Sequence, residues 1–383
     1  MKKIKVCTII TKLELGGAQK IALSLCKNID KDNFETFMIC GCGGMLDEQA
    51  RKECNVFFVK DLVRQINPVK DLKALISIYK ILKKEKPDIV HTHSSKAGII
   101  GRVAAKLAKI HFVIHAIHGF AFNDYQNILK KYLYIILEKF CAKISNALVV
   151  ECEQTKIKGL KHNIGTEKKY VTIKLGVELD EFKNYSEGKQ LRKELSIQDD
   201  EILVSTIGPF KPQKNLSDFI KTAHIVNQQN KKIKFAITGD GVLRTELEKL
   251  IKDLKLEKTV FLIGWRTDIP NILYSSDIFS MTSLWEGMPV VSINAMYCGI
   301  PMAVNAVDGQ IDIVKDGVTG FLIKPGDIQQ MANKILLLAS DNDLRFSFAE
   351  ESKKAIDETY TTEHMIKQHE QLYLSACNSS VNK

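Results

Sequence analysis

The sequence predicts an α/β chain folded as two doubly wound parallel sheets in tandem, with a helical tail behind them. Three observations carry this. Short β-branched apolar runs alternate with helix-period stretches along the first half, which calls for parallel strands joined by crossover helices. The same alternation restarts at Ile202 and runs to Ile323. With 383 residues, 45% apolar and 26% charged, the chain can fill two cores, which excludes disorder, collagen and a disulfide-stapled miniprotein.

In order, the strands of the first domain are expected at Lys3 to Ile10, Phe34 to Cys40, Val56 to Val59, Ile89 to Thr92, Phe112 to Ala116, Ala147 to Glu151 and Tyr170 to Ile173. Helix patterns fill the gaps at Ala18 to Asn28, Val69 to Lys84, Lys96 to Ala108 and Ile128 to Lys143. The boundary falls in Leu175 to Asn184, broken by Gly176 and followed by a polar helix-like stretch from Glu187 to Leu195. The second domain repeats the plan, with strands at Ile202 to Ile207, Ile233 to Thr238, Thr259 to Ile263, Ile278 to Met281, Met302 to Asn305 and Gly320 to Ile323. Its helices lie at Leu216 to Asn227, Leu243 to Leu254, Ile269 to Tyr274 and Val290 to Cys298. Beyond Ile323 only helical signals remain, and Asp327 is placed to cap Ile328 to Ala339. The domains are therefore expected at 1–178 and 179–355, with a tail, 356–383, packing back on the first domain.

No apolar stretch approaches the ~20 residues of a membrane span. Lys12 and Glu14 interrupt the apolar run behind the positively charged start, so Met1 is expected to begin a mature chain facing the cytoplasm. The nine cysteines form no C-x-x-C pair; Cys40-Gly41-Cys42, at a strand end, is the nearest approach to a thiol site and reads better as buried structure. Residues 1–180 hold 31 Lys and Arg against 18 Asp and Glu, whereas residues 181–383 hold 24 against 27. The first half therefore suits an anionic partner, a membrane leaflet or a diphosphate, while the absence of any nucleic-acid-binding pattern argues against nucleic acid.

Four loops have chemistry. Gly16 and Gly17 follow the first strand and open a helix, where backbone N–H groups favour an anion. The spacing is not G-x-G-x-x-G and no acidic residue ends the second strand, which argues against a nicotinamide cofactor. The loop Gly208 to Asn215 sets Lys211 and Lys214 near a helix start, placed to hold a diphosphate or simply exposed. Gly239 and Gly241 leave a strand end open to a base or ribose, or form a plain turn. In SLWEGMP, Glu286 offers a carboxylate to sugar hydroxyls, and Gly287, Met288 and Pro289 lead into a helix whose N–H groups suit phosphate.

These motifs, with HTHSSKAG at 91–98, HGF at 118–120 and GVELDEF at 176–182, make the chain resemble the family-4 glycosyltransferases nearly end to end. The resemblance implies the GT-B fold, two Rossmann-like domains facing a central cleft, and a retaining transferase of the bacterial surface-polysaccharide type. It further implies a nucleotide diphosphate sugar as donor, held mainly by the second domain, and no metal or other cofactor. Lys214 would contact the diphosphate and Glu286 the sugar hydroxyls, while His118 would reach the donor sugar near the reacting carbon and Gly16 and Gly17 the phosphates. Two departures touch the donor. The family's second Glu, eight positions after the first, is Asn294, which can still meet ribose hydroxyls. Pro209 replaces a common Arg, leaving Lys211 as the substitute cation. Asp341-Asn342-Asp343 reads as a helix start rather than a magnesium site, and His91 and His93 read equally as cleft or packed residues.

The helix Ile128 to Lys143 carries Leu129, Tyr132, Leu133, Ile136, Leu137 and Phe140 on one face among Lys130, Lys131, Lys139 and Lys143. It suits either a bilayer surface or the core of its own domain. Together with the charge of the first half and the family resemblance, it makes a lipid-linked or glycan acceptor at the inner face of the membrane the leading expectation. A nucleotide-sugar epimerase and a non-catalytic nucleotide-sugar binding protein are the alternatives.

Overall fold

The computed structural model describes residues 3–14, 16–183, 185 and 190–381. Leu15 of the first glycine turn, Asn184 of the boundary segment and residues 187–189 of the polar stretch behind it lie outside the described residues. The chain divides into two compact units, Met1–Gly176 together with Thr359–Lys383, and Val177–Glu358. The divisions fall after 176 and 358, where the sequence placed them after 178 and 355.

Unit 1 is built on β1 (Ile4–Ile10), β2 (Phe34–Cys40), β3 (Asn55–Phe58), β4 (Ile89–His93), β5 (Phe112–Ile117), β6 (Ala147–Val150) and β7 (Tyr170–Thr172). Between them run α1 (Gly17–Asn28), α2 (Asp47–Glu53), α3 (Pro68–Glu85), α4 (Ser95–Leu107), α5 (Ile128–Lys143) and α6 (Glu153–Lys161). The strands pair in parallel in the order β3-β2-β1-β4-β5-β6-β7. Runs such as β4, buried at all five positions, are apolar or hydrogen-bonded because helices cover both faces of a parallel sheet. One core joins Ile9, Phe37 and Val90 to Ile78 and Leu82 of α3, and another joins Ile10 and Met38 to Ala22 and Leu23 of α1. The strand order reverses between β1 and β4, where a doubly wound sheet leaves a crevice at its carboxyl edge.

Unit 2 contains α7 (Asp180–Lys183), α8 (Gln190–Glu194), β8 (Ile202–Ile207), α9 (Leu216–Gln229), β9 (Ile233–Thr238), α10 (Arg244–Asp253), β10 (Val260–Leu262), α11 (Ile269–Tyr274), β11 (Ile278–Met281), α12 (Val290–Tyr297), β12 (Met302–Asn305), α13 (Gly309–Ile313), β13 (Gly320–Ile323), α14 (Ile328–Ser340) and α15 (Asn342–Ala355). Its parallel order, β10-β9-β8-β11-β12-β13, reverses between β8 and β11. Phe210, Phe219, Phe235 and Phe321 anchor its core. Asp327 caps α14, accepting from the Gln330 N–H at 2.9 Å. Asp341 does the same for α15 through Leu344, so Asp341-Asn342-Asp343 is a helix start, as its spacing suggested.

The tail forms α16 (Thr362–Val381) and belongs to unit 1. Gly176 explains part of the seat: a Cβ there would stand 2.7 Å from the Thr362 Cα, so only glycine lets the chain pass. The short α2, α6 and α13 escaped the sequence reading, because five to nine residues carry too few apolar positions to show a period.

Candidate active site

In each unit the loops that carry the predicted residues leave the carboxyl ends of its strands. In unit 2 the loop after β8 and the loop after β11 come together, since those strands are neighbours, with Ile278 paired to Val204. The Lys214 Nζ donates to Glu286 Oε1 at 2.7 Å, with 13% and 8% of the two side chains exposed. Gln213 donates to the Trp285 carbonyl at 2.9 Å and to Glu286 Oε2 at 3.3 Å. The Glu286 N–H donates to Asp308 Oδ2 at 2.9 Å, and Asp308 sits at φ 38°, ψ −129°, a conformation that costs a non-glycine residue energy. The carboxylate is therefore held at its backbone and at both of its oxygens. Thr282 fixes the lysine loop from below, donating to the Asn215 carbonyl at 3.0 Å.

Gly287 accepts from the Gly309 N–H at 3.0 Å, and a Cβ on Gly309 would come within 2.2 Å of that carbonyl. Met288 is buried and Pro289 is the residue from which α12 starts. Asn294, one turn into α12, is buried with its Oδ1 lacking a protein partner. Lys211 lies exposed at the head of the lysine loop. Gly239 and Gly241 turn out to serve close packing: Cβ atoms there would meet the Gly208 carbonyl at 2.0 Å and the Phe210 carbonyl at 2.7 Å. Their positive φ of 134° and 156° holds the loop after β9 against the lysine loop.

In unit 1, Gly16 is extended at φ −165° and precedes α1 at the carboxyl end of β1. His118 follows β5 and its Nδ1 lies 2.6 Å from Glu151 Oε1, with 13% and 12% of the side chains exposed. Its Nε2 lies 2.9 Å from the His93 Nδ1, and the two rings stack at 5.2 Å. His91 is a packed residue, fully buried, with its Nδ1 2.7 Å from the Tyr373 hydroxyl of α16. Burial pushes His91, His93 and His115 well below the usual histidine range, and His369 of α16 down to about 4.

Sequence reasoning missed Glu151, Gln213 and Asp308. Glu151 carried a usable signal, since it is a charged residue ending a strand whose other positions are apolar. Gln213 and Asp308 gave none, because only the fold brings them to Glu286.

Comparison with known proteins shows the family and the fold. A model described as Glycosyltransferase Family 4 matches residues 15–181, and one described as Glycosyl transferases group 1 matches residues 188–355. An Escherichia coli protein named UDP-Gal:alpha-D-GlcNAc-diphosphoundecaprenol alpha-1,3-galactosyltransferase is 37% identical over 88% of this chain and 89% of its own. The Staphylococcus aureus capsular polysaccharide biosynthesis glycosyltransferase CapM is 24% identical over 92% of this chain and 93% of its own. The crystal structure of Anabaena Alr3699/HepE in complex with UDP and glucose superposes with a TM-score of 0.82, at 18% identity, over 97% of this chain and all of that one. The chain belongs to the family-4 glycosyltransferases, with two Rossmann-like sheets of the GT-B fold, and it is a glycosyltransferase.

Proposed function

We propose that the protein transfers a hexosyl residue, with retention of configuration, from a UDP-sugar to a lipid-linked glycan during cell-surface polysaccharide synthesis. The Lys214–Glu286 pair carries this reading. An ammonium and a carboxylate that satisfy each other at a switch point are a poor use of two nearly buried charges unless a substrate separates them. A diphosphate on Lys214 would take over the ammonium, and Glu286 would turn its acceptor oxygens to sugar hydroxyls. Charge developing on the departing diphosphate would then be met by Lys214, Lys211 and the backbone N–H groups around Gly287, without a metal. His118 would stand against the donor sugar, Asn294 against the ribose. The 37% identical relative, named for UDP-Gal and a diphosphoundecaprenol-linked acceptor, supports this class of donor and acceptor.

A second observation bears on the acceptor. Ile128, Leu129, Tyr132, Leu133, Ile136 and Phe140 of α5 are each at least half exposed, and Ile66, Val69 and Leu72 at and before the start of α3 are too. Helices α3 and α5 both pack beside α4. Two apolar strips among lysines on the basic unit suit the anionic inner face of a membrane, on which a cytoplasmic enzyme would meet a lipid-linked acceptor. Among the described residues no helix is long and apolar enough to cross a membrane.

The test is to incubate the protein in excess chelator with UDP-galactose, UDP-glucose and UDP-N-acetylglucosamine, a GlcNAc-diphosphopolyprenol and anionic vesicles. An α-linked disaccharide lipid, identified by NMR, is expected. A β-linkage overturns retention, dependence on added metal overturns the metal-free mechanism, and conversion of a sugar nucleotide without acceptor would bring back the epimerase.

A further inference from the structure

We propose that Glu151 is a positioning residue that sets which nitrogen of His118 carries the proton, an inference that rests on reading His118 as the residue facing the donor sugar. Strands β5 and β6 pair with Ile117 opposite Val150, so His118 and Glu151 leave the sheet side by side. A carboxylate only accepts, and at 2.6 Å from Nδ1 it requires the hydrogen there. In the neutral ring the Nε2 of His118 is then a lone pair, placed to accept from the His93 Nδ1 2.9 Å away.

That assignment propagates. His93 is kept neutral by burial, so with its hydrogen on Nδ1 its Nε2 is bare, and that atom is buried without a protein partner. The His93 ring rests on His91 at 4.3 Å, and His91 in turn meets Tyr373 and the ring of His369, both on α16. His115, on β5, bonds instead to Thr92. Glu151 is thus the acidic member of a group otherwise made of imidazoles and a phenol. A small cavity lined by His93, His118, Glu151, Met365 and His369 adjoins it. A ring gripped at both nitrogens by neighbours on β4 and just past the end of β6 is fixed in plane and proton before any sugar arrives, and such fixing is what second partners do for reactive histidines.

Two readouts on the full chain test this. Nitrogen-15 NMR of the imidazoles is expected to show His118 protonated at Nδ1, and Glu151→Leu, which cannot accept, to spread the ring over both tautomers. In transfer assays Glu151→Leu is expected to lower kcat by about 10–100-fold with donor KM within about threefold, and Glu151→Gln, which keeps an accepting oxygen, to recover most of the loss. Should Glu151→Leu not fold, Glu151→Asp, which withdraws the carboxylate by one methylene, carries the same comparison. An unchanged tautomer in the variants overturns the proposal. So does a fall in kcat matched by equal losses of donor affinity and thermal stability, the mark of a packing role. If the wild type turns over no sugar nucleotide, the transferase reading fails, while the ring nitrogens still decide what Glu151 does.

Discussion

Lys214 and Glu286 are bonded so closely that each is a structural problem for the other once one is removed. With 13% and 8% exposure, truncating either leaves a charge in poor solvent, and Lys214→Ala is expected to destabilise the protein by roughly 3 kcal/mol in urea unfolding. The paired substitution Lys214→Met with Glu286→Leu should restore most of that stability, because a buried pair can be replaced by apolar groups of similar volume. Activity should behave differently: both singles and the double are expected to lose at least about 100-fold in kcat/KM. Recovery of activity in the double variant would remove the pair from the mechanism. Asn294 gives a milder case. Its buried Oδ1 lacks a protein partner, and a ribose hydroxyl would supply one, so Asn294→Ala is expected to weaken UDP binding about fivefold in calorimetry. Equal UDP affinity would place the nucleotide elsewhere. All three residues were legible in the sequence by motif. The grip of Gln213 and Asp308 on Glu286 was not, since those residues lie 73 and 22 positions away.

At the scale of the element, α5 shows how a buried charge orients an apolar helix. Arg102 is fully buried on α4, and its Nη2 lies 2.7 Å from Glu138 Oε2. That pair, with Ile135, Cys141 and Ala142, fixes the face α5 turns inward, so Leu129, Tyr132, Leu133, Ile136 and Phe140 face outward. The sequence showed the apolar face and left open whether it packed inside. The answer needed Glu138, whose partner is 36 residues away. Replacing Lys130, Lys131 and Lys139 by Glu is expected to weaken binding to anionic vesicles at least about 100-fold while leaving the melting temperature nearly unchanged. Vesicle binding that survives this change would dismiss α5 as a membrane surface. Arg102→Met, which strands Glu138, is expected instead to cost about 3–5 kcal/mol of stability.

For the whole molecule, histidine makes the two units unequal. Unit 1 holds His91, His93, His115 and His369, all buried and all held below the usual histidine range, whereas the one histidine of unit 2, His224, is partly exposed. A histidine depressed in the folded state binds a proton more readily when unfolded. Its contribution is complete above the unfolded value near 6.5 and is lost as the pH falls towards the folded one. For His369, held near 4, the loss amounts to about 2 kcal/mol by pH 5. Unit 1 is therefore expected to melt at lower temperature at pH 5 than at pH 7, and before unit 2, which calorimetry can resolve. A pH-independent first transition would mean that water reaches these rings. The sequence by itself determined the two doubly wound sheets, most strand bounds to within a residue, the helix caps at Asp327 and Asp341, and the loops bearing Lys214, Glu286 and His118. Those features are written in local periods and spacings, which a chain displays before it folds. Only the tertiary structure decided that His91 is packed against Tyr373, that Gly239 and Gly241 serve backbone approach, that the face of α5 looks outward, and that Glu151 meets His118. Each of these depends on which distant residue occupies the far side of a contact, and that is fixed by strand order and packing rather than by neighbours along the chain.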